Sequence, residues 1–319
     1  MSAPELSISI VSWNTRELLR DCLASIREDP RSAAWELFVV DNASSDGSAD
    51  MVEECFPEAA VIRSRENLGF SGGHNLALAR ARGRHLLLLN PDTRVDPGAL
   101  GGMVDFADRN ARVGAVGPRL EDDRGNLELS WGRAPGGLSL IAHKLLLHRL
   151  FPDRRLARRR SRAEDVGWVT GACLLVRREA AEAAGPLDDG MFMCHEDVEW
   201  CMRLGDAGWR VVYFPRSRVV HHEGRSIRQR LGEMLVVSQR SQYYLHQKHF
   251  GRGRLHLLRL LTGIEMILRT TLWSLLWLVR PRTRGEARDR LGAYRRILWR
   301  TLADRGFWAP RDPRPGETS

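Results

Sequence analysis

Short apolar runs that end in polar tips recur through the first third of the chain, separated by stretches whose apolar residues fall at helical spacing. Ser7-Ile8-Ser9-Ile10-Val11 reads as a first strand. Thr15 is placed to cap a helix in which Leu18, Leu19, Cys22, Leu23 and Ile26 share one face. Leu37-Phe38-Val39-Val40 reads as a second strand and Ala60–Ile62 as a third. His85–Leu89 is the fourth, and its unbroken leucines suit a strand buried on both faces of a parallel sheet. A glycine-rich turn, Gly69 to Gly73, precedes a helix over His74–Ala81, and another helix is expected near Pro97–Arg109. Strands alternating with helices at this spacing predict an α/β fold with a mostly parallel central sheet.

The second half is less regular. Val113–Val116, Leu127–Trp131 and Val166–Val176 carry strand patterns, Glu196–Asp206 reads as a helix stopped at Gly208, and Trp209–Phe214 as a strand. A long helix is expected over Arg230–Phe250, and Arg311–Ser319 as a disordered tail. Arg154 to Arg162 holds six arginines in nine residues, which suits either a solvated loop or one that grips an anion. Leu255–Val279 is rich in Leu, Ile and Trp, but Arg259, Glu265 and Arg269 interrupt it. About 20 apolar residues are needed to span a bilayer, so no transmembrane helix is expected there.

Charge sharpens this division. The net charge is +9, and Gly251–Ser319, with 15 Arg, no Lys and 6 acidic residues, accounts for all of it. A neutral body with a basic, Leu/Trp-rich tail calls for an anionic partner. The arginines accompany apolar helix faces, so a membrane surface is favoured and no nucleic acid is expected. On the 255–279 helix, Arg259, Thr262 and Arg269 fall near one stripe, with Leu257, Leu261, Ile264 and Leu268 opposite; Trp273, Trp277 and Trp299 would lie at headgroup level. Packing on the α/β body or on a second subunit is the other reading. Five cysteines without CxxC spacing argue against a disulfide framework or zinc site and for a reducing compartment. Met1–Leu6 lacks the features of a signal peptide.

Candidate chemistry collects where strands end. Asp41 and Asp92 both follow apolar strands and so share one sheet edge, where open α/β folds bind ligands. A carboxylate there can accept N–H groups of a base or hold a divalent ion beside phosphates. Asn42-Ala43-Ser44-Ser45-Asp46-Gly47 is also ordinary turn chemistry. Glu196, Asp197 and Glu199 follow apolar Met191-Phe192-Met193; a helix N-terminus would stabilise them, or one of them serves as general base. His221 and His222 follow the strand Val219-Val220, where a neutral imidazole can complete a metal site. Gly171 after Trp168-Val169-Thr170 marks a bulge or a close backbone approach.

Taken in order, these segments resemble an inverting nucleotide-sugar glycosyltransferase of family 2. The matching residues are Ile10-Val11-Ser12-Trp13-Asn14, Val40 to Ser48, Asn67-Leu68-Gly69-Phe70, Leu89-Asn90-Pro91-Asp92, Thr170-Gly171-Ala172, Glu196-Asp197 and His221-x-x-Gly224-x-Ser226. Within the family the chain is most similar to the rhamnosyltransferase-like branch. The resemblance implies a GT-A nucleotide-sugar-binding fold with a C-terminal helical appendage. Residues 1–226 would form the catalytic domain, with a nucleotide-sugar-binding half (1–110) and an acceptor half (111–226). Residues 227–310 would be the basic, amphipathic helical region, and 311–319 the tail.

It also implies roles. Asp41 would contact a uracil or thymine ring, with Ser12 and Asn14 lining the pocket and Asn67, Gly69 and Asn90 on the donor side. Asp92 would ligate Mg2+ or Mn2+ at the donor diphosphate, with His221, or its rival His222, approaching the ion. Asp197 would be the catalytic base with Glu196 beside it, and Thr170 and Gly171 would lie on the acceptor side. Asn90 stands where the family's DxD motif has its first Asp, and an amide is the weaker ligand. The expected activity is transfer of a sugar, with L-rhamnose the leading candidate, to a glycan or polyprenyl-linked glycan of the cell wall or surface polysaccharide. The expected location is cytoplasmic, peripheral at the inner face of the plasma membrane. A nucleotidyltransferase, or a nucleotide-sugar-binding scaffold without turnover, are the alternatives.

Overall fold

A computed structural model describes residues 3–136, 144, 162–222, 231–279 and 284–303. A sheet of nine strands forms its centre, and the strands of the first half enter as the hydrophobic pattern requires: β1 (Leu6–Ser12), β2 (Trp35–Asp41), β3 (Ala59–Arg63) and β4 (His85–Leu89). These four pair in parallel in the order β3-β2-β1-β4. Helices α1 (Arg16–Arg27), α2 (Ser48–Cys55) and α3 (Gly69–Leu78) connect them. All five β4 side chains are buried, as a strand covered on both faces demands.

The chain then turns through β5 (Thr93–Val95) and α4 (Ala99–Arg109) into β6 (Val113–Glu121), longer than its four apolar residues indicated. Two short strands, β7 (Trp131–Gly132) and β9 (Trp168–Val169), pair with each other, while β8 (Glu164–Asp165) lies against β11 (Arg210–His221). Val166–Val176 is therefore not one strand. Residues 170–172 break it, and β10 (Cys173–Arg177) enters the main sheet antiparallel to both β4 and β6. The sheet closes as β10-β6-β11-β5, with β6 and β11 parallel to each other. Two helices follow β10: α5 (Arg178–Ala184), which the sequence pattern did not announce, and α6 (Glu196–Asp206).

The expected turn at Gly69–Gly73 is instead the first turn and a half of α3. Packing overrides glycine's poor helix propensity here. A Cβ on Gly73 would meet Val11 Cγ1 at 2.7 Å, so only glycine lets α3 lie this close to β1. Thr15 does occupy the N-cap position of α1, but its hydroxyl pairs with Ser12 and makes no cap hydrogen bond.

Beyond β11, helix α7 (Leu231–Val279) bends at Gly251, whose φ of 76° lies outside the helical region, and α8 (Arg284–Ala303) packs back against it. The expected helix end at Phe250 is thus a bend rather than a stop. Arg154–Ser161, Gly224, Ser226 and the 311–319 tail lie outside the described residues. Helix α7 is fastened to α6 through buried Glu199, which accepts from Arg203 Nε (2.9 Å) and Lys248 Nζ (2.8 Å) and pairs with His249 Nε2 at 3.0 Å. Burial alone would raise the Glu199 carboxyl, but these cationic donors outweigh it and hold the group below its usual range. Its stabilising contribution is therefore present above the unfolded value of about 4.3 and is lost as pH falls through the lower folded value.

Glu199→Ala removes the buried acceptor that Arg203, Lys248 and His249 share. It is expected to cost about 3–5 kcal/mol in urea unfolding at pH 7; a loss under about 1 kcal/mol would contradict the fastening role.

Candidate active site

The carboxyl ends of β1, β2 and β4 meet at one edge because their parallel register sets Ser12 beside Asp41 and Ile10 beside Leu89. The two turns that leave this edge are laced together. Ser12 Oγ lies 2.9 Å from Thr15 Oγ1, and Asn14, at φ 53°, accepts the Ser45 N–H at 2.8 Å. Asp46 accepts the Arg16 N–H at 2.9 Å and the Ser48 N–H at 3.0 Å. Asp41 is buried beside them, and its Oδ1 has no hydrogen-bond partner among the described residues. An unsatisfied buried carboxylate oxygen is costly, and a base N–H is the kind of donor that would satisfy it.

Asn67 and Gly69 are held by a residue that sequence reasoning passed over. Asn42 Nδ2 donates to Asn67 Oδ1 (2.9 Å) and to the Gly69 carbonyl (3.0 Å), while Asn42 Oδ1 accepts the Leu68 N–H at 2.8 Å. The signal for Asn42 was only its place directly after a strand-end Asp. Gly69 itself sits at φ 70°, and a Cβ there would come 2.1 Å from the Phe192 carbonyl oxygen, which accepts the Phe70 N–H. Close packing accounts for this glycine.

At the end of β4 the Asn90 N–H donates to the Ala172 carbonyl at 2.9 Å, and the Asn90 carbonyl accepts from the Thr93 hydroxyl at 2.8 Å. Asp92 is buried two residues on, with Oδ1 3.3 Å from His221 Nε2. His221 Nδ1 lies 2.9 Å from Glu128 Oε2. Burial alone would lower the imidazole, but Asp92 and Glu128 on either side raise it to about 10. The His222 ring pairs with Asp123 instead, and only its backbone N–H reaches the Asp92 carbonyl. His221 is thus the histidine that faces Asp92. Glu128 had no sequence signal; the Glu121↔Leu127 bridge after β6 carries it there.

His221 pairs with Asp92 as an imidazolium, and it would give up its Nε2 proton on binding a divalent ion; Asp92 and that nitrogen, oriented by Glu128, would then hold the ion, with phosphate and water as its other ligands. Among the described residues, no group of three or more His, Cys, Asp or Glu is arranged to hold a metal by itself.

The second half reaches this edge through residues 170–172. Gly171 donates its N–H to Asp197 Oδ2 at 2.8 Å, and Val198 donates to Asp197 Oδ1 at 2.7 Å. Gly171 is also where the ring of Phe70 packs: a Cβ would meet Phe70 Cζ at 2.7 Å. The close approach read from the sequence is therefore to Phe70 and Asp197. Cys194 and His195 enter α6 through two consecutive left-handed residues, both at φ 69°, a conformation that strains non-glycine residues. Burial raises the Asp197 carboxyl, with the Gly171 and Val198 N–H groups and the Thr170 hydroxyl opposing the rise. Buried Glu196 is pushed well above its usual range by burial and by Asp197, and its Oε2 is unpaired among the described residues.

The same fold recurs in a mannosyltransferase from Pyrobaculum calidifontis solved with GDP-Man and Mn2+. Its TM-score is 0.59 at 18% identity, over 96% of this chain and 89% of that one. The fold is that of the GT-A glycosyltransferases. The model of "Glycosyl transferase family 2" matches residues 7–185, and the chain belongs to that inverting family. It is 31% identical over 236 residues to the N-acetylglucosaminyl-diphospho-decaprenol L-rhamnosyltransferase of Mycobacterium tuberculosis, covering 68% of this chain and 76% of that protein. It is also 31% identical over 231 residues to the O-antigen biosynthesis protein RfbC of Myxococcus xanthus, which spans 70% of this chain but 18% of that longer protein. Family membership removes the nucleotidyltransferase reading.

Glu196 has a testable consequence. Its folded pKa lies above the unfolded value of about 4.3, so stability is lost as pH rises through the folded value. Glu196→Gln is expected to raise the melting temperature above that of wild type at pH 8 and to narrow the gap at pH 4.5. A variant that melts at or below wild type at pH 8 would contradict the assignment.

Proposed function

We propose that this glycosyltransferase moves a sugar, with L-rhamnose the leading candidate, from a nucleoside diphosphate to a polyprenyl-linked glycan in cell-wall or surface polysaccharide synthesis. The rhamnosyltransferase named above supports the sugar and the lipid-linked acceptor. In this reading residues 1–226 form the catalytic unit, working at the inner face of the membrane. The observation that carries it is the pairing at residues 170–172: the Ala172 carbonyl holds Asn90 on the donor side while the Gly171 N–H holds Asp197.

Asp41 accepts from the base, with Ser12 and Asn14 shaping the turn beside it. Asp92, oriented against His221, is the ligand for a divalent ion, which when bound offsets the negative charge that grows on the leaving diphosphate. Asp197 takes the proton of the acceptor hydroxyl as that oxygen attacks the anomeric carbon. The bond to the diphosphate breaks on the opposite face, so configuration inverts. The transition state has oxocarbenium character. The Gly171 and Val198 N–H groups fix the base, and its raised pKa makes it a better proton acceptor than an exposed aspartate. Glu196, buried beside it and pushed toward its neutral form by burial and by Asp197, spares the base a second adjacent negative charge.

Nucleoside diphosphate release from UDP-, dTDP- and GDP-sugars, with Mn2+, Mg2+ or EDTA and a polyprenyl-diphosphate-linked acceptor, tests this reading. One donor is expected to turn over, and Asp197→Asn to lower its turnover by about 100-fold or more. Near-normal turnover in the variant would remove Asp197 as base. No turnover of any donor, together with no donor binding, would overturn the function.

A further inference from the structure

The helical appendage carries a second apolar face that its own packing leaves uncovered. In the 255–279 part of α7, the buried face holds Leu255, Leu258, Leu261 and Met266 together with two polar residues, Thr262 (0% exposed) and Glu265 (4%). Glu265 pairs with Lys144 Nζ at 2.9 Å and Arg269 at 2.8 Å, and Arg259 Nε donates to the Thr301 carbonyl of α8 at 3.1 Å. Tyr243 and Thr301 meet by their hydroxyls at 2.9 Å in the same interior. A second set of apolar residues faces outward. Leu257, Leu260, Ile264, Leu268, Leu272, Leu275 and Leu278 recur at three- and four-residue steps, and Leu260 and Leu278 are each 64% exposed. At 1.5 Å per residue this stripe runs about 32 Å. A helix in water turns its apolar face to the core. This one buries one apolar face and leaves a second exposed, and an exposed apolar strip of this length marks a surface that something covers.

Charge says what covers it. Helix α8, packed alongside, carries six arginines against Glu286 and Asp289, and Arg284, Arg288, Arg295 and Arg296 are exposed. Arg284 lies 5.2 Å from the Trp277 ring centroid at one end of the stripe, and Trp299 is exposed on α8. Apolar residues bordered by arginine and tryptophan match the acyl and headgroup levels of an anionic leaflet. Pairing the stripe with a second copy would bring two arginine-rich helices together, which like-charge repulsion opposes. Among the described residues no helix is long and apolar enough to cross a membrane, so the surface would lie in the plane of the bilayer.

We infer that the outward face of α7 from Leu257 to Leu278, with the arginines of α8, is an in-plane insertion surface for an anionic lipid leaflet. The inference rests on the proposed lipid-linked acceptor only for its purpose; the surface itself stands on the uncovered apolar strip and the arginines beside it.

The test is co-sedimentation of the full chain with vesicles of phosphatidylcholine alone or of equal parts phosphatidylcholine and phosphatidylglycerol, at low and high salt. The triple variant Leu260→Gln/Leu268→Gln/Leu275→Gln is run beside it, with mass by light scattering and nucleoside diphosphate binding measured on both samples. Wild type is expected to bind the anionic vesicles at low salt and to weaken as salt screens the arginines. The variant is expected to lose about 10-fold or more of that binding while its mass and nucleotide binding stay unchanged. Three results would overturn the inference: no vesicle binding by wild type, equal binding by the variant, or a wild-type dimer that the variant converts to monomer. Nucleotide binding that persists through any of these leaves the catalytic reading standing; its absence in both proteins would count against that reading instead.

Discussion

The antiparallel pairing of β10 with β4 is the constraint on which the rest of the molecule depends. Parallel pairing of β1, β2 and β4 is enough to gather Ser12, Asp41 and Asp92 at one edge, but not to bring a base to them. β10 runs against β4 with Cys173 opposite Leu89, so the residues just before β10 arrive where the residues just after β4 leave. Asn90 and Ala172 then exchange a hydrogen bond, and the next peptide N–H back along the chain is given to Asp197. A slip of one residue in this register would turn every β10 side chain to the opposite face. It would also carry the N–H away from the carboxylate.

Two neighbouring carboxylates on α6 show how environment divides labour on one helix. Glu199 is fully buried yet ionised, because Arg203, Lys248 and His249 surround it. Glu196 is buried without such partners and is held toward its neutral form. Asp197 lies between these extremes, fixed by backbone N–H groups and partly open. The ionised glutamate ties the C-terminal helices to the body, and the other two acids sit beside the donor edge. The same helix therefore fastens the appendage and carries the carboxylate proposed as base.

Much of the first half was legible because burial on both faces leaves a plain mark: β4 is an unbroken apolar run, and strands of this kind end at ligand edges. The miss at α3 came from local propensity, since Gly69, Gly72 and Gly73 read as a turn until Val11 and the Phe192 carbonyl require them. The reading of β11 was cut short at Pro215, Arg216 and Ser217, which stand unpaired with β6 in a register shift between Phe214 and Arg218 that no local pattern announces. Glu128 and Asn42 act through partners far away in sequence or through turns; nothing nearby marked Glu128, and only the place after Asp41 marked Asn42. On α7 the division into a polar and an apolar face was read correctly for Thr262, Ile264 and Leu268, whereas Leu261 is buried. That Thr262 and Glu265 point inward needed Lys144 and Thr301 to be in place.

The account's central claim is that Asp92, set against His221 at the end of β4, makes this edge a metal-assisted diphosphate site. Calorimetric titration of UDP, dTDP and GDP into wild type and Asp92→Ala, each with and without Mn2+, tests it most directly. One nucleoside diphosphate is expected to bind wild type, with Mn2+ tightening it about 10-fold or more and Asp92→Ala abolishing that gain while metal-free binding remains. A Mn2+ gain that survives in Asp92→Ala, or no binding of any nucleoside diphosphate to wild type, would contradict the claim.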